Sequence, residues 1–354
     1  MIEIDASQGE GGGQVLRTVL ALSVLTGHAV KLTGIRARRR NPGLAPQHLA
    51  GVKAAAQVCA AEIEGARLHS SELTFRPATP AQSGRYTFDI SRLAGQGGAG
   101  AVTLLLQSIL LPLALAGGPS HLILRGGTHV AWSPPVHYVQ WVLFPAFARV
   151  GVQASLELVT WGWHPQGGGE VHVTIQGSAH LQSVNLLERG PLSGLRGVAA
   201  ASNLPSHIPQ RMAARANTLL REAGLPPRVE PLRTTGPSTG AGVFLALSFN
   251  HACAGFSALG ERGRPSEVLA EEAVGPLVTY YRQTGALDPY LPDQLIPALM
   301  QASGTSSLST VNITRHTLTN IAVVQHFVDR PVKVVGEQGR PGLIHIEGDV
   351  PALR

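Results

Sequence analysis

The chain has 354 residues, of which 44% are hydrophobic and only 14% charged. That length supports two or so domains with a real core, and the composition excludes a disordered or fibrous chain. The formal charge is +6 and the pI about 9.8, carried almost entirely by arginine, since Lys31, Lys53 and Lys333 are the only lysines. This balance favours anionic partners such as phosphates, nucleotides or nucleic acid, although an arginine bias also follows genomic base composition.

Cys59 and Cys253 form no CxxC pair, so neither a disulfide framework nor a zinc site is expected. Met1-Ile2-Glu3-Ile4-Asp5 leads straight into a strand pattern with no basic leader segment. The longest apolar run, Ala101 to Ala116, contains Gln107, Ser108 and Pro112 and is short for a membrane span. A buried helix, no membrane partner and a cytoplasmic location are expected; the pattern sets no oligomeric state.

In chain order the elements recur every ~90 residues. A strand Ile2–Asp5 meets a glycine cluster (Gly9, Gly11, Gly12, Gly13), then a helix Val15–Leu25 and a strand Ala29–Ile35. An arginine-rich turn, a helix from about Pro46 to Ala61 and a closing hairpin through Leu73–Arg76 complete the first unit. The second has a strand Tyr86–Ile90, glycines at 95, 97, 98 and 100, and a helix Val102–Ala116. A strand Leu122–Arg125, a Pro134-Pro135 turn, a helix Val136–Val150 and strands Val152–Leu158 and Glu170–Ile175 follow.

The third unit is interrupted. A strand Leu195–Ala201, a helix Pro209–Ala223, strands at Val229–Leu232, Val243–Phe249 and Cys253–Leu259 and a helix Ser266–Arg282 read as an inserted α+β domain of about 100 residues. The unit resumes with a helix Pro292–Gln301, a strand Ser309–Ile313, a helix Thr319–Phe327 and strands Val332–Val335 and Leu343–Glu347. The expected division is a core of residues 1–179 and 285–354 with an insertion at 180–284. If the units pack around a pseudo-threefold axis, the arginine turn, the Trp132–Pro135 turn and the turn bearing His316 would line one cleft.

His316 stands among hydroxyls and an amide in Thr314-Arg315-His316-Thr317-Leu318-Thr319-Asn320. A neutral imidazole is a competent nucleophile near pH 7, and the same pattern also fits a capped strand-to-helix junction. Gln8-Gly9-Glu10-Gly11-Gly12-Gly13-Gln14 lacks the ending of a P-loop and the last glycine of a dinucleotide fingerprint. Glycines before a helix still expose N–H groups to an anion, or simply make a tight turn, and Glu10 offers a carboxylate suited to Mg²⁺ or Mn²⁺. Arg36, Arg38, Arg39 and Arg40 beside Pro42-Gly43 could clamp phosphates, with Gln47 and His48 opening the next helix towards the same place. Arg17 would lie on the loop-facing side of its helix or in a surface pair. Asp293 would sit in a first helical turn, and Gln107, an amide in an apolar helix, requires a buried partner or a ligand. His164 and His172 lack a third ligand at metal spacing.

Together these segments resemble the RNA 3′-terminal phosphate cyclase family. The resemblance lies in Gly9-Glu10-Gly11-Gly12-Gly13-Gln14 with Arg17, in Ile35-Arg36, Arg39, Pro42-Gly43-Leu44 and Gln47-His48-Leu49, in Pro165 with Gly167-Gly168-Gly169, and in Asp293-Gln294 with His316, Leu318, Thr319 and Asn320. It implies three βαβαββ units, each similar to the C-terminal domain of translation initiation factor 3, with a small inserted domain. It also implies ATP-dependent conversion of an RNA 3′-phosphate into a 2′,3′-cyclic phosphate, through a histidine–AMP adduct and an RNA adenylate. By position, His316 would be the adenylated nucleophile and Glu10 a ligand of Mg²⁺ or Mn²⁺. Arg17, Arg36, Arg39 and Gln47 would hold phosphates of ATP or RNA. Gln107 with Tyr290, Leu291, Pro292, Asp293 and Gln294 would form the adenylate pocket. The chain departs from the family pattern at Arg38, where glycine is usual, at Ala131 in a proline-rich region, and before Trp161-Gly162. Two rival readings are a cyclase-like RNA-processing or ribosome-assembly binding protein, which lacks the histidine, and an enolpyruvyl-type transferase, which needs no histidine–nucleotide adduct.

Overall fold

The computed structural model describes residues 1–94 and 99–348, so Gly95, Gly97 and Gly98 of the second glycine cluster lie outside the described residues. The first unit runs β1 (Ile2–Asp5), α1 (Gly13–Thr26), β2 (Val30–Thr33), α2 (Pro46–Cys59), β3 (Glu62–Glu64) and β4 (Leu73–Arg76). Its sheet has the order β1-β2-β4-β3, with β1 parallel to β2 and the other pairs antiparallel. Local chemistry sets the helix ends: α1 stops at Gly27, whose φ of 69° takes the left-handed cap conformation, and α2 opens on Pro46.

The second unit contains β5 (Arg85–Asp89), α3 (Ile90–Ala94), α4 (Val102–Leu115), β6 (Ser120–Gly126), α5 (Val136–Tyr138), a π-helical turn Val139–Leu143, α6 (Phe144–Arg149), β7 (Ala154–Thr160) and β8 (Gly169–Ile175). The order β5-β6-β8-β7 repeats the first sheet's pairing directions. Residues Val102 to Ala114 of α4 are buried with the exception of Gln107, so the long apolar run is a core helix. No helix among the described residues is long and apolar enough to cross a membrane. The single helix expected over Val136–Val150 is α-helical at both ends with the π turn between them.

A short strand that the sequence pattern does not reveal, β9 (Asn185–Leu186), comes next. The segment that follows holds β10 (Leu192–Ser202), α7 (His207–Glu222), β11 (Val229–Thr234), β12 (Gly240–Phe249), β13 (Cys253–Leu259) and α8 (Ser266–Arg282). These strands make their own sheet, β11-β10-β12-β13, whose core under α7 and α8 is separate from the main one. The chain then resumes with α9 (Leu291–Leu299), β14 (Ser306–Thr310), α10 (Arg315–Gln325), β15 (Val332–Val335) and β16 (Gly342–Ile346). The sheet order β15-β16-β14-β9 takes β9, from inside the stretch expected to be inserted, as the parallel neighbour of β14. Two residues are too few to show an alternation, which is why the pattern missed it. The whole is an α+β fold with four mixed four-stranded sheets.

Asp288 ties three of these regions together. Its buried carboxylate accepts from the Tyr138 hydroxyl (3.0 Å), the Gly255 amide of β13 (3.0 Å) and the amides of Tyr290 (2.8 Å) and Leu291 (3.0 Å) at the start of α9. Burial raises its pKa to about 6 against the pull of those donors. Removing the carboxylate leaves several buried donors unpaired. Asp288→Ala should therefore lose on the order of 3 kcal/mol of stability in urea denaturation, and Asp288→Asn, which keeps one acceptor oxygen, should lose less.

Candidate active site

Helix α10 begins where the Thr314 hydroxyl accepts the Thr317 amide at 3.1 Å. The expected junction is thus real, but the helix starts at Arg315, so His316 occupies its first turn rather than the loop before it. The residue is exposed, and its Nδ1 hydrogen-bonds the side-chain oxygen of Gln14. Gln14 Nε2 donates to Asp293 Oδ2 at 2.6 Å. A carboxamide that turns its NH₂ to a carboxylate turns its oxygen the other way, so the His316 Nδ1 must be the donor. The Nε2 lone pair is then free. Partial burial of the ring, with Arg17 and Arg39 nearby, lowers the His316 pKa below 6.5 while Glu10 opposes the shift, which favours the neutral ring at pH 7.

The same region is stitched together by α10's next residues. Thr319 Oγ1 accepts the Glu10 amide at 3.0 Å, and a Cβ on Gly9, whose φ is 61°, would collide with the Thr319 side chain. Asn320 accepts from Thr18 Oγ1 at 2.6 Å and donates to the Asp293 carbonyl. Gln14, Thr18 and Asn320 are buried, which sets the glycine turn, α1, α9 and α10 around His316.

Cations gather on one side. Arg39 pairs with Glu10 at 2.9 Å, and Arg17 Nε donates to Gln107 Oε1 at 2.9 Å. Burial pushes the Arg17 pKa down to about 10, with Glu10 and Asp293 pulling the other way. Gln107 completes its hydrogen bonding by donating to Gln294 Oε1 at 2.8 Å, and Gln294 reaches the Tyr290 carbonyl at 2.8 Å. Burial raises the Asp293 pKa to about 7, with Asp288 adding to the shift and Arg17 and Gln14 opposing it. His48 accepts the Ala45 amide on Nδ1 at 3.3 Å, and its pKa falls to about 3 through burial and three arginines. Its Nε2 therefore carries the proton, and it abuts Gly13, where a Cβ would strike it.

The remaining expected residues are placed differently. Arg36 turns back on its own loop, donating to the Gly43 carbonyl at 2.8 Å. Gln47 accepts the Ala101 amide at 3.4 Å at the foot of α4. Tyr290 is 55% exposed, whereas Leu291 and Pro292 are buried. His172 pairs with Glu170 at 2.8 Å, and no group of three or more His, Cys, Asp or Glu among the described residues could hold a metal alone.

A family model described as RNA 3′-terminal phosphate cyclase matches residues 8–334. The RNA 3′-terminal phosphate cyclase of Gloeothece citriformis is 50% identical over 92% of this chain and 93% of its own. That of Methylococcus capsulatus is 47% identical over 99% and 97%, and that of Archaeoglobus fulgidus 40% identical over 96% and 99%. The chain belongs to the RNA 3′-terminal phosphate cyclase family. A solved enolpyruvyl transferase, NikO from Streptomyces tendae, aligns with 95% of this chain and 47% of its own at 9% identity and a TM-score of 0.41, a likeness too loose to speak to activity.

Gln14 and Asn320 stood in the segments that resemble the family but carried no assigned role; the fold places Gln14 between Asp293 and His316, and Asn320 between Thr18 and Asp293. ¹⁵N NMR of the imidazole should find His316 as the neutral Nδ1–H tautomer, titrating below 6.5. Gln14→Ala should release that tautomer preference without unfolding α10.

Proposed function

We propose that this chain is an ATP-dependent RNA 3′-terminal phosphate cyclase, converting an RNA 3′-phosphate to a 2′,3′-cyclic phosphate. The observation that carries the mechanism is the Gln14 amide held between Asp293 and His316. His316 Nε2 attacks the α-phosphorus of ATP, pyrophosphate leaves, and AMP remains on the ring. The RNA 3′-phosphate then takes the AMP, giving a mixed anhydride, and the vicinal 2′-hydroxyl attacks that phosphorus and expels AMP. Adenylation supplies the leaving group that a phosphate dianion lacks, and ring closure is intramolecular.

Arg17, Arg39 and the Nε2–H of His48 converge on the glycine turn and are suited to the phosphates of ATP or RNA. Arg36 and Gln47 would join them once their present backbone partners are exchanged. Tyr290 offers an exposed ring, and with Leu291, Pro292, Asp293, Gln294 and Gln107 it would form the pocket for the adenylate. Glu10 fits Mg²⁺ or Mn²⁺: it is an oxygen donor beside a turn where a Cβ on Gly12 would strike its carboxylate, and one carboxylate plus phosphate oxygens and water is a usual magnesium set. Such an ion would neutralise phosphate charge; its arrival requires Arg39 to let go of Glu10.

The reading extends to architecture and place. Three units of the translation initiation factor 3 C-terminal kind would surround a pseudo-threefold axis, with their β-to-α turns facing the cleft. Two buried free thiols, Cys59 and Cys253, suit a cytoplasmic setting.

Incubation with α-³²P-ATP and Mg²⁺ or Mn²⁺ should give acid-labile label on the protein, absent from His316→Ala. A binding protein or an enolpyruvyl transferase would give none on the native chain. Arg39→Ala should lower the labelling rate by about tenfold or more. Labelling should also fall as the pH drops through about 7, because a raised carboxyl is protonated below that value and a neutral Asp293 holds the Gln14 NH₂ less firmly. In Asp293→Asn this acid limb should move to lower pH, where His316 itself gains a proton.

A further inference from the structure

Trp132 is fully exposed, and it adopts a φ of 63°, a left-handed conformation that bulky residues avoid. Both features cost free energy in the folded state, since an indole left in water forgoes its burial and the backbone is strained. The turn that bears it is nonetheless rigidly held. Ser133 Oγ donates to the Val130 carbonyl at 2.7 Å, Val136 N to the Thr128 carbonyl at 3.2 Å, and Val130 packs against Ala99, Ala101 and Leu104.

Two tethers place this turn beside the adenylate pocket. Thr103 Oγ1 of α4 donates to the Pro134 carbonyl at 2.7 Å, and Thr103 lies one helical turn from Gln107 on the same face. On the other side Tyr138 meets the Tyr290 ring edge-on, with centroids 6.4 Å apart, and shares Asp288 with the start of α9. The exposed indole therefore sits on a turn tethered to the helices that carry Gln107, Tyr290 and Gln294. Among the described residues, Trp132 and Tyr290 are the exposed large hydrophobics that carry rings.

We propose that Trp132 is a stacking platform for a nucleobase at the 3′ end of the RNA substrate. The inference rests on the cyclase reading and deepens it. An RNA whose terminal phosphate lies at His316 would leave its last bases to find partners beyond the cationic residues that suit its phosphates. A π face accepts every base, which suits an enzyme that processes ends rather than sequences. The rigid turn presents the ring without further ordering cost when the strand arrives.

The test compares native protein, Trp132→Ala and Trp132→Phe on a short oligoribonucleotide ending in a 3′-phosphate, and on the same strand with abasic sugars at its last two positions. Trp132→Ala should raise the KM for the normal RNA about tenfold with kcat little changed, and Trp132→Phe should recover most of the loss. The abasic strand should cost the native protein a similar factor and Trp132→Ala nothing more. Adenylation of His316 by ATP alone should proceed at the native rate in both variants. An unchanged KM for RNA, or a loss centred on KM for ATP and on adenylation, overturns the proposal, the second result assigning the indole to adenine instead. If the native protein forms no adduct and cyclises nothing, the cyclase reading fails separately. Quenching of tryptophan fluorescence by the oligonucleotide, absent in Trp132→Ala, then still supports stacking, and quenching that persists in Trp132→Ala or is missing from the native protein overturns it.

Discussion

The Gln14 side chain is the constraint on which the site depends. It has one oxygen and one NH₂, and the Asp293 carboxylate claims the NH₂ at 2.6 Å. The oxygen is left for His316, and the imidazole can satisfy it only with a proton on Nδ1. Tautomer, ring orientation and the direction of the free Nε2 lone pair follow from that one assignment. An aspartate in direct contact with the ring would also fix the tautomer, but it would favour the imidazolium. An intervening neutral amide orients the ring while keeping it neutral.

Around this amide the charges are arranged in mutual tension. Arg17 is partly withdrawn from water, which pulls its pKa down, while Glu10 and Asp293 pull it up. Asp293 is raised by burial and lowered by Arg17. Glu10 meets Arg39. Arg17 has an amide partner and Arg39 a carboxylate partner, so both are held in register. Asp288 connects this arrangement to the separately cored segment around β10 to β13, because the carboxylate that receives the Gly255 amide also orders the first amides of α9.

Much of this was legible from residue order. Helices α1, α4 and α8 and most strands follow from apolar runs bounded by glycine and proline, and the motifs around Glu10, Arg36 and His316 stand out by composition alone. What escaped has a common cause. β9 is two residues long, and its strand character comes only from pairing with β14. The start of α10 four residues before the expected one was decided by the Thr314 cap, and a π turn interrupts the helix expected over 136–150.

Residue order supplies the inventory: which segments form helices and strands, which turns carry cations, and that a histidine and a glutamate stand in segments resembling the cyclase family. Those are local properties, since periodicity, turn chemistry and motif spacing are written within a few residues of one another. Which side chains meet is set by how the elements pack. Gln14 and His316 lie 302 positions apart, and Gln14 and Asp293 279 apart. Hydrogen bonds of that span arise only when α1, α9 and α10 pack together, and no local pattern encodes them. The histidine could be named from the chain; its tautomer had to be built by the fold.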